Sequence, residues 1–435
     1  MKVTGIIAEY NPFHKGHKYQ IDYCKKKLNS DYVIVAMSGD YVQRGTPALL
    51  PKHVRAEMAL RCGADLVLEM PVSVSTASAE AFAFGGVSML DGLHIVDSLC
   101  FGSEYGEVSA LMELAEILVE EPEEYRQLLK EFLNNGLSFP SARCQALTEY
   151  FKNPRNFTGD DFDGVLTPLL NQIIQILNSP NNILGIEYCK ALLRLKSSIK
   201  PVTLKRQGMG YHEKLADTDG SISASHTDDN TFASASAIRE LLKTALTPKT
   251  ISHITAQVPD EISSLLASSL QRNEFLTEDV LDSLLSYCIL KENASGLSTY
   301  LDVSRDLAER IVNRSNEING FLQAASLLKT KELTQTRIQR ALLHIILGIR
   351  EVPATVPYAR VLGFRKESSA LLKEIKDSSS IPLITKLADA DSLLSEAGKV
   401  LLSETTFASN IYEKLLCQKS GRNFVHEYQN QLVIL

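Results

Sequence analysis

The stretch "VTGIIAEYNPFHKGHKYQI", residues 3–21, decides how this chain folds. Its opening is continuously apolar, as in a strand buried on both faces, and the run stops at Glu9. Asn11-Pro12 then turns the chain, because the residue before a proline avoids helical angles. A helix begins close to Gly16, which places His14 and His17, three residues apart, on one side of its first turn. There the main chain offers free N–H groups and the positive end of the helix dipole, a place that suits a polyphosphate. Gly16 removes a side chain where an anion would come close to backbone. Taken alone, two histidines at a turn are as well explained by structural hydrogen bonding, so their context has to decide.

That context is an alternation. "DYVIVAMSG" (31–39), "ADLVLEMP" (64–71) and "DSLCFGSE" (97–104) repeat the apolar pattern of 3–10, and helical patterns over 17–28, 53–61 and 79–90 separate the four. A βαβαβαβ series implies an α/β fold with a parallel sheet and right-handed crossovers. A fifth strand, "PVTLKR" (201–206), follows a helical insertion over about 107–195. The polar stretch 211–232 reads as a loop. After about residue 248 the periodicity is helical throughout, so two domains are expected: 1–248, and an all-α C-terminal domain over 249–435.

Composition narrows the function. The 435 residues are 44% hydrophobic with no run long enough to span a membrane, and no secretory leader precedes Glu9, so a soluble cytoplasmic protein without a membrane partner is expected. Seven scattered cysteines form no C-x-x-C pair; no metal site is indicated, and Cys62 and Cys100 read as buried small hydrophobes. A net charge of −7 argues against indiscriminate nucleic-acid binding, and no DNA partner is expected. Two local stretches are basic: 188–212, with Lys190, Arg194, Lys196, Lys200, Lys205 and Arg206, and 337–366, with Arg340, Arg350, Arg360 and Arg365. A solvated helix face is the plain reading of either.

H-x-G-H directly after a first apolar strand resembles the signature of the nucleotidyltransferase and class I aminoacyl-tRNA synthetase superfamily, which implies a Rossmann-like (HUP-type) domain binding ATP phosphates at the two histidines. A second motif, serines and a basic residue at a later helix start, is matched by "FASASAIREL" (232–241) with Ser234, Ser236 and Arg239. Serine hydroxyls there can cap the helix or donate to phosphate, and the planar guanidinium can hold phosphate oxygens.

"EYNPFHKGH", "SGDYVQRGTPAL", "KHVRAEMAL", "SPNNILGIEY" and "YARVLGFRKESSALL" carry a closer resemblance, to the tRNA(Met) cytidine acetate ligases, across most of the chain. The resemblance implies ATP-dependent activation of acetate to acetyl-adenylate and acetyl transfer to N4 of the wobble cytidine of elongator tRNA(Met), with Mg²⁺ accompanying ATP. Carried over by position, the ATP site comprises Ile7, Ala8, Glu9, Tyr10, Asn11, Pro12, Phe13, His14, Lys15, Gly16, His17, Lys18, Tyr19 and Gln20. Gly102, one of Asn181 and Asn182, Arg206, Ser234 and Ser236 complete it, with His14, His17 and Arg239 acting on the phosphates. Asp40, Gln43 and Arg44 follow the second strand; Arg44 could orient acetate or a phosphate and Asp40 the tRNA amine. Lys15, where the family has Asn, and Thr46, where Glu is frequent, depart from its pattern, and 152–164 matches nothing. With a tRNA partner, the basic stretches become candidates for backbone contact. Two alternatives share some of these features: a nucleotidyltransferase adenylating a small phosphorylated acceptor, and a non-catalytic tRNA-binding protein.

Overall fold

In the computed structural model, residues 1–153, 170, 173–206, 235–242 and 246–435 are described. The expected loop over 211–232, most of the segment 152–164, and Ser234 lie outside the described residues.

The apolar runs form the strands β1 (Val3–Ala8), β2 (Tyr32–Ser38), β5 (Leu66–Met70), β6 (Ser98–Ser103) and β7 (Lys200–Lys205) of one sheet. Between them a small hairpin, β3 (Tyr41–Val42) with β4 (Thr46–Pro47), stands apart from the sheet. The parallel strands lie in the order β5-β2-β1-β6-β7, so the chain winds one way from β1 through β2 to β5 and the other way through β6 to β7. The order reverses beside β1, and the crevice outside the carboxyl ends of β1 and β6 is where such a sheet takes a ligand. Val33, Ile34, Val35, Ala36 and Met37 of β2 have no exposed surface, which explains why the run is apolar without alternation.

Helices Lys15–Lys26, Lys52–Arg61 and Ala79–Asp91 provide the crossovers, within a few residues of the expected limits. Helix Ala79–Asp91 lies tight on the sheet, since a Cβ added at Gly86 would come within 2.8 Å of the Ile7 side chain. The excursion between β6 and β7 is helical as expected, with Val108–Glu120, Glu123–Asn134, Phe139–Lys152 and Pro180–Leu195. Cys62 and Cys100 are buried, and no helix among the described residues is long and apolar enough to cross a membrane.

The C-terminal region is mainly helical, but an all-α description of it needs correction. It returns β8 (Ala359–Phe364) to the sheet antiparallel to β5, and β9 (Leu383–Ile384) and β10 (Val433–Ile434) pair with β8. "ARVLGF" is too short to interrupt a helical reading, and its partner strand lies far back in the sequence. Packing also runs across residue 248. Ile254, Ile262, Leu266 and Phe275 join the core under Ile6, Phe13 and Val35, while Val356 and Val361 join the core on the other face of the sheet.

Candidate active site

The turn after β1 is built around the two histidines. His14 caps helix Lys15–Lys26: its Nδ1 accepts from Gly16 N at 3.1 Å, and His17 Nδ1 accepts from His14 N at 3.2 Å, a reciprocal capping box made of imidazoles. The main-chain N–H groups expected to be free for phosphate are in part held by the histidines themselves. Because each Nδ1 accepts, a neutral ring carries its proton on Nε2. The rings stack with centroids 3.7 Å apart. Gly16 is needed for this stack, since a Cβ there would sit 2.9 Å from His14 Cε1.

Both imidazoles are neutral. Burial, with the nearby charges of Arg206 and Arg239, pushes the His14 pKa down to about 3; burial, His14 and Arg206 hold His17 well below the usual range. The pair therefore presents two N–H donors without a charge of its own, and the positive charge comes from arginines around it.

These residues line a cavity of about 270 Å³ at the carboxyl ends of β1, β6 and β7. At one end Gly102, Asn181 and Arg206 meet, with Arg206 Nη1 donating to Asn181 Oδ1 at 3.2 Å. At the other are Gln43 and Arg44 of the hairpin and Ser236 and Arg239 of helix Ala235–Leu242. Arg239 donates to Asn11 O and, at 3.1 Å, to Ser236 Oγ. Glu9 accepts from Gln43 N at 2.9 Å and steadies both Arg44 and Arg239, whose pKa values burial lowers.

Of the residues singled out in the sequence, Ile7, Ala8, Glu9, Tyr10, Asn11, His14, Gly16, His17, Tyr19, Gln20, Gly102, Asn181, Arg206, Ser236 and Arg239 line this cavity. Others do not. Pro12 is buried, Phe13 is turned into the core, Lys15 is exposed, and Lys18 pairs with Glu261. The two asparagines separate cleanly: Asn182 is buried, with Oδ1 accepting from Glu104 N at 2.9 Å and Tyr105 N at 3.1 Å, whereas Asn181 reaches the cavity. Asp40 lies beneath the site, where Oδ1 accepts from Lys52 N at 2.9 Å, and is not placed to meet a tRNA amine.

Sequence reasoning missed the apolar wall formed by Phe82, Phe101, Leu184, Tyr188 and Leu204, because these residues sit in runs that read as core. It also missed Arg55. That side chain has no exposed surface and donates to four main-chain carbonyls: Leu50 at 2.9 Å, Glu9 at 2.6 Å, Ser38 at 3.1 Å, and Gly39. It ties the ends of β1 and β2 together, and no spacing in "KHVRAEMAL" signals this.

The basic stretches divide as well. Lys190 and Arg194 pair with Glu80 at 3.1 and 2.6 Å, Arg340 with Asp302 at 2.9 Å, and Arg350 lies over the Tyr300 ring. Arg360 enters a buried ionic cluster in which Lys52 meets Glu69 at 2.6 Å and Glu427 at 2.7 Å, and Arg360 pairs with the same two carboxylates. Arg337 is exposed.

A parallel sheet reversing beside β1, with imidazole donors over the reversal and arginines at both ends, is the site of a nucleotidyltransferase of the H-x-G-H type, and the family model described as HIGH Nucleotidyl Transferase matches residues 1–427. The tRNA(Met) cytidine acetate ligase of Acetivibrio thermocellus is 38% identical over the whole of both chains, and that of Clostridium acetobutylicum 40% identical over 89% of this chain and 90% of its own. The chain belongs to the HIGH nucleotidyl transferase family and, within it, to the tRNA(Met) cytidine acetate ligases. Among solved structures, Thermotoga maritima TmcAL bound with alpha-thio ATP superposes with a TM-score of 0.85 at 28% identity, and its apo form with 0.87, each covering all of both chains.

Proposed function

We infer that this protein is an ATP-dependent ligase that joins acetate to the cytidine of tRNA(Met), through acetyl-adenylate and N4 of the wobble cytidine of the elongator tRNA. The observation that carries this reading is the reciprocal cap of His14 and His17. It fixes two neutral Nε2–H donors at the carboxyl end of β1 inside a cavity whose charged lining is mostly cationic, Arg44, Lys205, Arg206 and Arg239 against Glu9.

Adenosine fits the end of the cavity at Gly102, Asn181 and Arg206, beside the aromatic wall of Phe101 and Tyr188. The triphosphate then passes over the histidines toward Arg44, Ser236 and Arg239. Acetate oxygen attacks the α-phosphorus and the α–β bridging oxygen leaves on pyrophosphate. The charge developing on the leaving group meets the preformed N–H donors and the Arg239 fork, so little reorganisation accompanies the step. No covalent enzyme intermediate is needed, because the gain comes from position and charge. Next N4 of cytidine attacks the acetyl carbon, and AMP leaves with the electron pair of the broken C–O bond. Mg²⁺ would neutralise the phosphates further. The donors around the phosphates are imidazole, guanidinium and hydroxyl, with Glu9 the carboxylate lining the cavity, which fits a cation held chiefly by phosphate and water.

The test is to incubate the protein with ATP, labelled acetate and unmodified tRNA(Met). Acetylated cytidine in the digested tRNA is the expected product; pyrophosphate release that needs a small phosphorylated acceptor and ignores acetate would overturn the reading.

A further inference from the structure

Beyond Arg44 and Arg239 the nucleotide cavity opens into a second compartment of about 130 Å³. The two share Arg44, Ser236 and Arg239, so an occupant of the second meets the phosphate end of the first and not its adenosine end. Leu49 of the segment after β4 and Leu276 from the C-terminal region give it apolar walls; Thr277, Glu278 and Gln339 add polar groups from the C-terminal side. We propose that this compartment receives the acceptor base, a cytosine turned out of its RNA strand, and that Glu278 and Gln339 read its amine-bearing edge. This rests on the ligase reading above.

Geometry favours the base first. In an acyl-adenylate the acyl carbon is one oxygen away from the α-phosphorus, so the nucleophile arrives from outside the nucleotide, and the room that pyrophosphate leaves beside Ser236 and Arg239 borders this compartment. Charge favours it second. Glu278, half-buried, and Glu240, exposed, both act on Arg239 from this side and turn the compartment from cationic at its inner end to anionic at its mouth. A free carboxylate such as acetate is repelled there. A neutral ring with a donor amine beside acceptor atoms is matched, since carboxylates accept from the cytosine amine and an amide and a hydroxyl can donate to N3 and O2.

The origin of the walls favours it third. Gln339 lies on helix Gln335–Leu347, whose N-terminal half and preceding loop also carry the exposed Arg337, Lys329 and Lys331, so the element that reaches the compartment brings cations able to hold a phosphate backbone. The β3–β4 hairpin and this helix also meet closely. Gly45, at the tip of the β3–β4 hairpin with φ +74°, lies so near this helix that a Cβ would stand 2.4 Å from Arg340 N. In the transfer step the N4–carbon bond forms, the carbon–oxygen bond to AMP breaks with its electrons on the phosphate, and the N4 proton passes to the Glu278 carboxylate.

Glu278→Gln and Gln339→Ala, made separately, test the assignment with two readouts: acetate-dependent pyrophosphate–ATP exchange, and single-turnover acetyl transfer from pre-formed acetyl-adenylate to unmodified tRNA(Met). Transfer should fall by about 10-fold or more in each variant and by several-fold more than exchange does, the cost of leaving a polar partner of the base unmatched. Exchange also reports folding, so if one variant loses both activities the other decides. Unchanged transfer in both variants would overturn the proposal. So would a raised acetate KM in exchange with transfer from acetyl-adenylate intact, which would make the compartment the acetate pocket. Failure of the underlying ligase reading looks different: the unsubstituted protein itself would show neither exchange nor transfer.

Discussion

Two regions of this molecule gather charge, and they do so in opposite ways. In the ionic cluster where β8 meets β5, Lys52 and Arg360 already share the carboxylates of Glu69 and Glu427. Burial works against Lys52, yet Glu427 and Glu69 hold its pKa above the usual value, and Arg360 is raised in the same way. In the cavity the donors rest against main chain and a hydroxyl: Arg239 on Asn11 O and Ser236 Oγ, the histidines on one another's backbone. Burial lowers the pKa of these groups. A buried cation ion-paired to two carboxylates is structural; Arg239, hydrogen-bonded to a carbonyl and a hydroxyl although Glu9, Glu278 and Glu240 also act on it, is suited to an anion.

The largest effect is expected at Arg360. Arg360→Met leaves Glu69 and Glu427 without one of their two cations, and equilibrium unfolding should show a loss of about 3–5 kcal/mol. ATP affinity of the folded fraction should be nearly unchanged, and a large loss of affinity with intact stability would erase the distinction. His14→Ala should do the reverse. The rate of acetyl-adenylate formation should fall by roughly 10²–10³, as for loss of one preorganised donor, while stability falls only by the roughly 1 kcal/mol of a lost helix cap.

A third experiment tests the neutral imidazole pair. The His14 pKa is about 3 in the native protein against about 6.5 in an unfolded chain, so the unfolded state binds the extra proton first. Above pH 6.5 this group contributes no pH dependence; stability falls as the pH drops from 6.5 toward 3 and levels off below. Ring-nitrogen NMR should show His14 protonated on Nε2 alone through pH 5, and titration near 6.5 would contradict the cap. The smallest effects concern tRNA. Arg337→Ala should weaken binding and reduce the slope of log affinity against log salt by about one, whereas Arg194→Ala, whose partner is Glu80, should leave the slope unchanged.

What the sequence disclosed followed from local chemistry. The strand before Glu9, the turn at Asn11-Pro12 and the helix carrying His17 are each decided within a few residues, and the alternation to residue 104 gave the parallel sheet. The expectation that His14, His17 and Arg239 act together on the phosphates came from a family pattern, not from spacing. Partners distant in sequence stayed hidden. That Arg360 would end in a carboxylate cluster while Arg337 stays exposed cannot be read from the stretch that contains both, and Asn181 and Asn182 differ only in the direction a helix start turns them. Arg55 was illegible for the same reason, because its acceptors are carbonyls, which every residue possesses.

The pairing of β8 with β5 sets a timetable for synthesis. Glu69 waits for Arg360 across 291 residues of chain, which at ribosomal speeds of about 5–20 residues per second amounts to roughly 15–60 s. Throughout that interval the nascent N-terminal part holds the complete histidine turn while β5 presents an open sheet edge over a partly unpaired carboxylate. A chain stalled on the ribosome before residue 359 is thus a candidate for capture by chaperones, and competence for catalysis should coincide with release of the C-terminus rather than with emergence of the residues that perform the chemistry.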